Sequence, residues 1–217
     1  MKIPNVESYS FESNMSTQLK NQVQGNIGNK ITWSIEILPH NISNVSLIPD
    51  FVNEIYITMI PDSDCWQTIK SAQEIQATGK QAIPHIAARN FSGDEELKKC
   101  LSGLQTGGIK RALLIGGGNA ESKGRYTCAM DLLKTGLFAE YGINAFDFAG
   151  HPEGNPDDPD SEYNLLEKLR WTKQREISTR ILTQWCFDSD GTNDWISGLR
   201  EKGIRNPIHI GIPGPST

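Results

Sequence analysis

The stretch Ala145-Phe146-Asp147-Phe148-Ala149-Gly150-His151-Pro152-Glu153-Gly154-Asn155-Pro156-Asp157-Asp158 decides how the rest of the chain reads. An apolar run stops at Gly150, and a loop carrying an imidazole, carboxylates and two prolines follows. That junction puts reactive side chains at the C-terminal end of a buried strand, the end at which a β/α barrel builds its active site. A turn rich in Pro, Gly and Asp also serves as a plain solvated connection. The way the other strands end decides between the two.

Toward the C-terminus, Ser161 caps a long helix through Leu165, Leu166, Leu169 and Trp171. A strand over Arg180–Asp188, a helix around Asn193–Glu201 with Trp195, Ile196 and Leu199 inward, and a strand over Ile208–Ile212 follow. Toward the N-terminus, a helix from about Thr127 to Tyr141 carries Leu132, Leu133, Leu137 and Phe138 inward. Before it, the strand Arg111–Ile115 runs into Gly116-Gly117-Gly118-Asn119. A helix begun by Ser92 repeats Leu97, Leu101 and Leu104, and the strand Gln81–Ala88 precedes it. Asp62 or Ser63 caps a helix over Cys65–Thr78, with Trp66, Ile69, Ala72 and Ile75 on one face. The remaining strands are Phe51–Ile60 and Ile31–Leu38. Residues 1–30 are polar and read as a tail or short helix, which leaves 31–217 as the domain.

Strands separated by helices, without hairpins, imply parallel βαβ crossovers. Seven of them, with no early GxGxxG, predict an α/β fold of the (β/α)8 TIM-barrel type lacking its eighth strand. An unclosed barrel leaves bare edges on the first and seventh strands. The expectation is therefore a truncated chain, or an edge covered by another polypeptide.

At 217 residues with 37% hydrophobic and 22% charged content, the chain suits one well-buried domain. A net charge of −5 argues against a nucleic-acid surface. Cys65, Cys100, Cys128 and Cys186 form no CxxC pair, which points to structural thiols in a reducing compartment and away from zinc. No signal-peptide h-region and no membrane-length apolar run occur, so a cytoplasmic protein is expected. The oligomeric state stays open, a homo-oligomer included.

Nearly every strand delivers something polar, or a glycine-rich turn, to its C-terminal end. Glu36, between Ile35 and Ile37, is expected in apolar surroundings that suit a general acid. The competing reading is a structurally paired carboxylate. His85, after Pro84, reads as a packed histidine or as a hydrogen-bonding partner for a cofactor ring. Gln184 offers an amide able to read a heterocyclic edge. Gly116-Gly117-Gly118 lets backbone approach a flat or phosphorylated ligand, without being a P-loop. His151, Glu153, Asp157 and Asp158 lack metal-site spacing. Lys168, Arg170, Lys173 and Arg175 form a basic strip, either a solvated face or a diphosphate contact.

Taken in order, these motifs resemble the methylenetetrahydrofolate reductase family. The segments are Ser34-Ile35-Glu36-Ile37-Leu38-Pro39, Pro84-His85-Ile86-Ala87, Ala149-Gly150-His151-Pro152-Glu153-Gly154-Asn155-Pro156, Leu182-Thr183-Gln184-Trp185-Cys186-Phe187-Asp188 and Gly211-Ile212-Pro213-Gly214. The resemblance implies a barrel that binds FAD and passes reducing equivalents from NAD(P)H to methylenetetrahydrofolate. It implies Glu36 as the general acid that opens the methylene bridge, and Gln184 and Asn119 as folate contacts. Thr58, His85, Gly117, Gly118, Ala129, His151 and Lys173 fall on cofactor-contacting positions. The chain departs from the family where an Arg-Gly-Asp turn is replaced by Gly-Gly-Gly-Asn, with Gly118 or Asn119 in the acid's place. His151 likewise stands where the family has an aromatic residue. Loss of the arginine weakens a flavin clamp and opens direct hydride transfer from nicotinamide to folate as a second route. The alternative function is a non-catalytic folate- or nucleotide-binding barrel that needs a partner chain or a further C-terminal segment.

Overall fold

The computed structural model describes residues 32–214. The expectation for residues 1–30 lies outside them. Seven strands, β1 (Trp33–Ile37), β2 (Val52–Ile57), β3 (Gln81–Ala87), β4 (Arg111–Ile115), β5 (Ala145–Gly150), β6 (Ser178–Trp185) and β7 (Ile208–Gly211), form one sheet. Every neighbouring pair is parallel and the order is sequential. A 3-10 helix, Pro39–Leu47, joins β1 to β2. The other crossovers carry α1 (Cys65–Ala77), α2 (Asp94–Thr106), α3 (Ala129–Lys134), α4 (Leu137–Glu140), α5 (Ser161–Lys173) and α6 (Ser189–Glu201).

Two apolar clusters show how the sheet is shaped. The larger packs outward-facing strand residues such as Ile55, Ile57, Ile86 and Phe148 against Ile69, Leu97, Leu101, Leu132 and Leu165 of the helices. The smaller, Tyr56, Ile83 and Leu113, lies on the opposite face with Ile115 and Leu182. On a flat sheet β2 and β6, four positions apart, would lie about 19 Å from each other. Yet Arg180 of β6 donates to Glu54 Oε1 of β2 at 2.8 Å. The sheet is therefore strongly curled around its small cluster, as in a partial β/α barrel.

Several expectations are corrected in detail. The cap of α1 is Asp64, which accepts from Trp66 N at 3.0 Å, and Trp66 itself stands exposed. Gly136, at φ 74°, splits the single helix expected over 127–141 into α3 and α4. β6 ends at Trp185 because Asp188 turns to cap α6, accepting from Asp190 N and Gly191 N. That cap starts α6 four residues before the apolar periodicity shows it. Cys65 and Cys100 are buried, but Cys128 is exposed and Cys186 only half-buried.

β1 and β7 are the edges of the sheet, and large apolar side chains stand exposed along both: Trp33 and Ile35 on β1, Ile210 on β7 and Ile212 just beyond it. At the inner end of the opening stretch, a Cβ on Gly150 would lie 2.7 Å from Trp195 Cη2 and 2.9 Å from Ile181 Cγ2. Trp195 packs where a side chain would be. Gly150→Ala is expected to cost about 1–3 kcal/mol through overpacking, read as a lower denaturation midpoint with an unchanged m-value. No helix among the described residues is long and apolar enough to cross a membrane.

Candidate functional site

The C-terminal ends of the strands meet on one face, and the polar groups gather there. On β1, Glu36 Oε1 accepts from Thr58 Oγ1, just beyond β2, at 2.8 Å. Alternation sends Ile35 and Ile37 to the other side of the strand, so they do not bury the carboxylate, which is exposed. The apolar surroundings expected for Glu36 are thus absent. His85, two strands over, is 6% exposed and its ring lies edge-on to Tyr56, with centroids 6.2 Å apart. Its Nε2 has no hydrogen-bond partner among the described residues. Burial lowers the imidazole pKa against the opposing pull of Glu36 and Asp147, so the ring is held neutral.

The turn after β4 is fixed by a residue of the preceding crossover. Arg89 donates through Nη1 to the carbonyls of Gly117 (3.4 Å) and Asn119 (3.0 Å), and through Nε to that of Thr127 (3.1 Å). Gly117 adopts φ 105°, and a Cβ there would lie 3.2 Å from Ala87 Cβ. Packing within the chain therefore accounts for this glycine whether or not a ligand approaches it. Asn119 donates through Nδ2 to Asp62 Oδ1 at 2.9 Å, while its buried Oδ1 has no partner among the described residues.

At the end of β5, His151 is half-buried and its Nδ1 lacks a partner among the described residues. Burial, followed by repulsion from Lys168, lowers its pKa, with Asp158 opposing. Lys168 leans over the Phe148 ring, 5.6 Å from the centroid, and burial lowers its pKa too. Helical side chains point back toward their own N-terminus, which directs this cation to the strand-end face. Lys173, the last residue of α5, is exposed at the other end of a helix about 20 Å long. The structure does not bring it to the site. Ala129 is buried in the outer core, so only its backbone can serve a ligand. Gln184 is exposed at the end of β6; its Oε1 accepts from Trp185 N at 3.0 Å, leaving the amide NH2 free. Glu153 accepts from the backbone N–H groups of Phe187 and Asp188, tying the β5 loop to the β6 loop. Among the described residues no three His, Cys, Asp or Glu side chains gather as metal ligands.

Sequence reasoning misses the polar network beneath this face. Asp147, fully buried on β5, accepts from Tyr56 Oη (2.6 Å), from Arg180 Nε (3.0 Å) and Nη2 (2.8 Å), and from Arg111 Nη1 (2.7 Å). Burial pushes its pKa up, but the bonds and charge of Arg180, the Tyr56 hydroxyl and the Arg111 charge outweigh that and hold it below the usual carboxylate range. Burial first, then Asp147, raises the Tyr56 phenol far above its ordinary value. The available signal was an acid alone in an otherwise apolar strand, which must be paired.

The histidines make stability depend on pH. His85, His151 and His209 all have pKa values lowered chiefly by burial. The unfolded chain gains protons below about pH 6.5 that these folded rings refuse. Stability is therefore full above that pH and lost as pH falls through it toward the folded values. Calorimetry is expected to show a flat melting temperature from about pH 7 to 8 and a decline below 6.5. In His85→Asn that decline should be shallower.

The site thus has a carboxylate fixed by a hydroxyl, a buried and a half-buried imidazole each with a nitrogen unpartnered among the described residues, a desolvated lysine and an amide, all on one strand-end face. The profile of the methylenetetrahydrofolate reductase family matches residues 31–214. That match takes in all seven strands and every side chain of the face, so this chain belongs to the methylenetetrahydrofolate reductase family.

Proposed function

We propose that the chain uses NAD(P)H to reduce 5,10-methylenetetrahydrofolate to 5-methyltetrahydrofolate, or runs the reverse oxidation, with FAD at the strand-end face. Family membership already points to a folate-related oxidoreductase. The same reading takes the seven strands as part of an eight-stranded β/α barrel. The observation that carries it is Glu36, open to ligand on β1 and oriented by Thr58 Oγ1 at 2.8 Å. A fixed, accessible carboxyl suits proton delivery to a folate nitrogen as the methylene bridge opens, a role worth about 10²–10⁴ in rate. Gln184 presents its free amide NH2 to the pterin, and Asn119 lines the opposite side.

The chain's open polar atoms fit a flavin. Among the described residues, His85 Nε2 and His151 Nδ1 are unpartnered and Lys168 is a cation without a carboxylate partner. Unpaired buried groups of this kind are costly unless a ligand completes them. Bound FAD would supply a two-electron carrier visited in turn by nicotinamide and folate. Lys168 and His151 would hold its polar periphery, and His85 and Thr58 its ring edge. The Gly-Gly-Gly-Asn turn adds no cation of its own, and direct transfer from nicotinamide to folate remains the flavin-free version.

The exposed apolar edges favour a second reading, a folate- or nucleotide-binding barrel without catalysis that is completed by another polypeptide. A turnover assay with NADH and NADPH, run alongside calorimetry with 5-methyltetrahydrofolate and a visible spectrum of protein mixed with FAD, separates them. The proposed function predicts folate binding, flavin bands retained after desalting, and turnover. Folate binding without turnover under any nicotinamide would support the second reading.

A further inference from the structure

Two loops are locked together across the C-terminal end of β3. The chain leaves β2 through Pro61-Asp62, and Asp62 takes φ 58°, a left-handed conformation that Asp adopts more readily than most residues. Asn90 Nδ2 holds the preceding carbonyl, Ile60 O, at 2.9 Å. From the β4 side, Arg89 fixes the carbonyls of Gly117 and Asn119. Gly118 comes so close to Pro61 that a Cβ on it would lie 3.3 Å from Pro61 Cγ. The Asp62–Asn119 hydrogen bond, 2.9 Å long, closes the join.

This arrangement places a carboxylate where the β4 turn, Gly116-Gly117-Gly118-Asn119, has no ionised group. Asn119 engages Asp62 Oδ1 only, and Asp62 makes no salt bridge among the described residues. The nearby cations are committed elsewhere: Arg89 to carbonyl oxygens, and Lys123 to Glu96 at 2.9 Å. Asn119 Oδ1 has no partner among the described residues but is buried, so the exposed Asp62 carboxylate is the acceptor left open to a ligand. Its complement is a ligand nitrogen that donates N–H bonds or carries positive charge.

We propose that Asp62, held by Asn119, is an anionic contact of the site beside Glu36 and binds a positively charged or N–H-donating nitrogen of the folate. This rests on the folate reading given above. It makes the β2 loop a specificity element and assigns Asn119 the task of orienting Asp62.

Asp62→Asn removes the charge while an amide can still bond Asn119. Its affinity for 5-methyltetrahydrofolate by calorimetry, and its kcat/KM for methylenetetrahydrofolate, should fall about tenfold or more. The melting temperature should stay within about 2 °C, because the group is exposed. The exchange variant Asp62→Asn/Asn119→Asp puts the carboxylate on the other member of the same pair and should recover folate affinity to within about threefold of the parent. Wild-type affinity in Asp62→Asn overturns the proposal, as does a folded exchange variant that recovers nothing. If the unaltered protein fails to bind 5-methyltetrahydrofolate, the folate reading falls and this proposal with it. If the unaltered protein binds and Asp62→Asn binds equally well, only this proposal falls.

Discussion

Asp147→Asn is expected to lower the melting temperature by roughly 10 °C. Asp147 is fully buried, and its two oxygens receive four bonds from Arg180, Arg111 and Tyr56. The amide keeps the shape but removes the charge, and its NH2 turns a donor toward a guanidinium. Breaking such a pair costs about 3–5 kcal/mol, because the remaining charge stays desolvated. In a domain of this size each kcal/mol moves the midpoint by about 2–4 °C. Arg180 carries most of that cost, since its side chain is only 12% exposed against 21% for Arg111. Adding Arg180→Met to Asp147→Asn should recover part of the loss, although Glu54 then loses the Nη1 that donates to both its oxygens. A melting temperature unchanged in Asp147→Asn would mean that the curl of the sheet does not depend on this network.

Glu36→Gln is expected to lower turnover by about 10²–10⁴ while leaving folate affinity within a few-fold and the fold intact. Glutamine retains an oxygen for Thr58 Oγ1, and the position is exposed, so neither packing nor the local bond changes. What it lacks is a transferable proton. Thr58→Val should have a smaller effect, since it releases the carboxyl from its orientation without removing the acid. Steady-state kinetics on both variants checks this. Full turnover in Glu36→Gln would remove the general-acid assignment and leave Glu36 as a binding group.

The alternation of strands and helices is legible because each apolar run is short and is stopped by Gly, Pro or a capping acid. The curl of the sheet is not, because it depends on contacts such as Arg180–Glu54, separated by 126 positions. The same limit applies within the site. Glu36 stands out in the sequence, but its neighbours suggest burial, and only the pleat shows that Ile35 and Ile37 lie on the other side. Lys168 and Lys173 look alike in a basic strip. Helix direction separates them, carrying Lys168 over Phe148 and leaving Lys173 at the far end. Asp62 reads as a helix cap from its place before α1, a task that falls to Asp64 and leaves Asp62 free to reach Asn119.

The central claim is that this strand-end face carries reducing equivalents from a nicotinamide to a folate. The most direct measurement is oxidation of NADH and of NADPH by purified protein, with and without added FAD and 5,10-methylenetetrahydrofolate, while 5-methyltetrahydrofolate is quantified. The proposed function predicts nicotinamide oxidation that requires the folate, yields one 5-methyltetrahydrofolate per nicotinamide consumed, and falls at least about a hundredfold in Glu36→Gln. Folded protein that binds folate yet oxidises neither nicotinamide, with or without FAD, would contradict it.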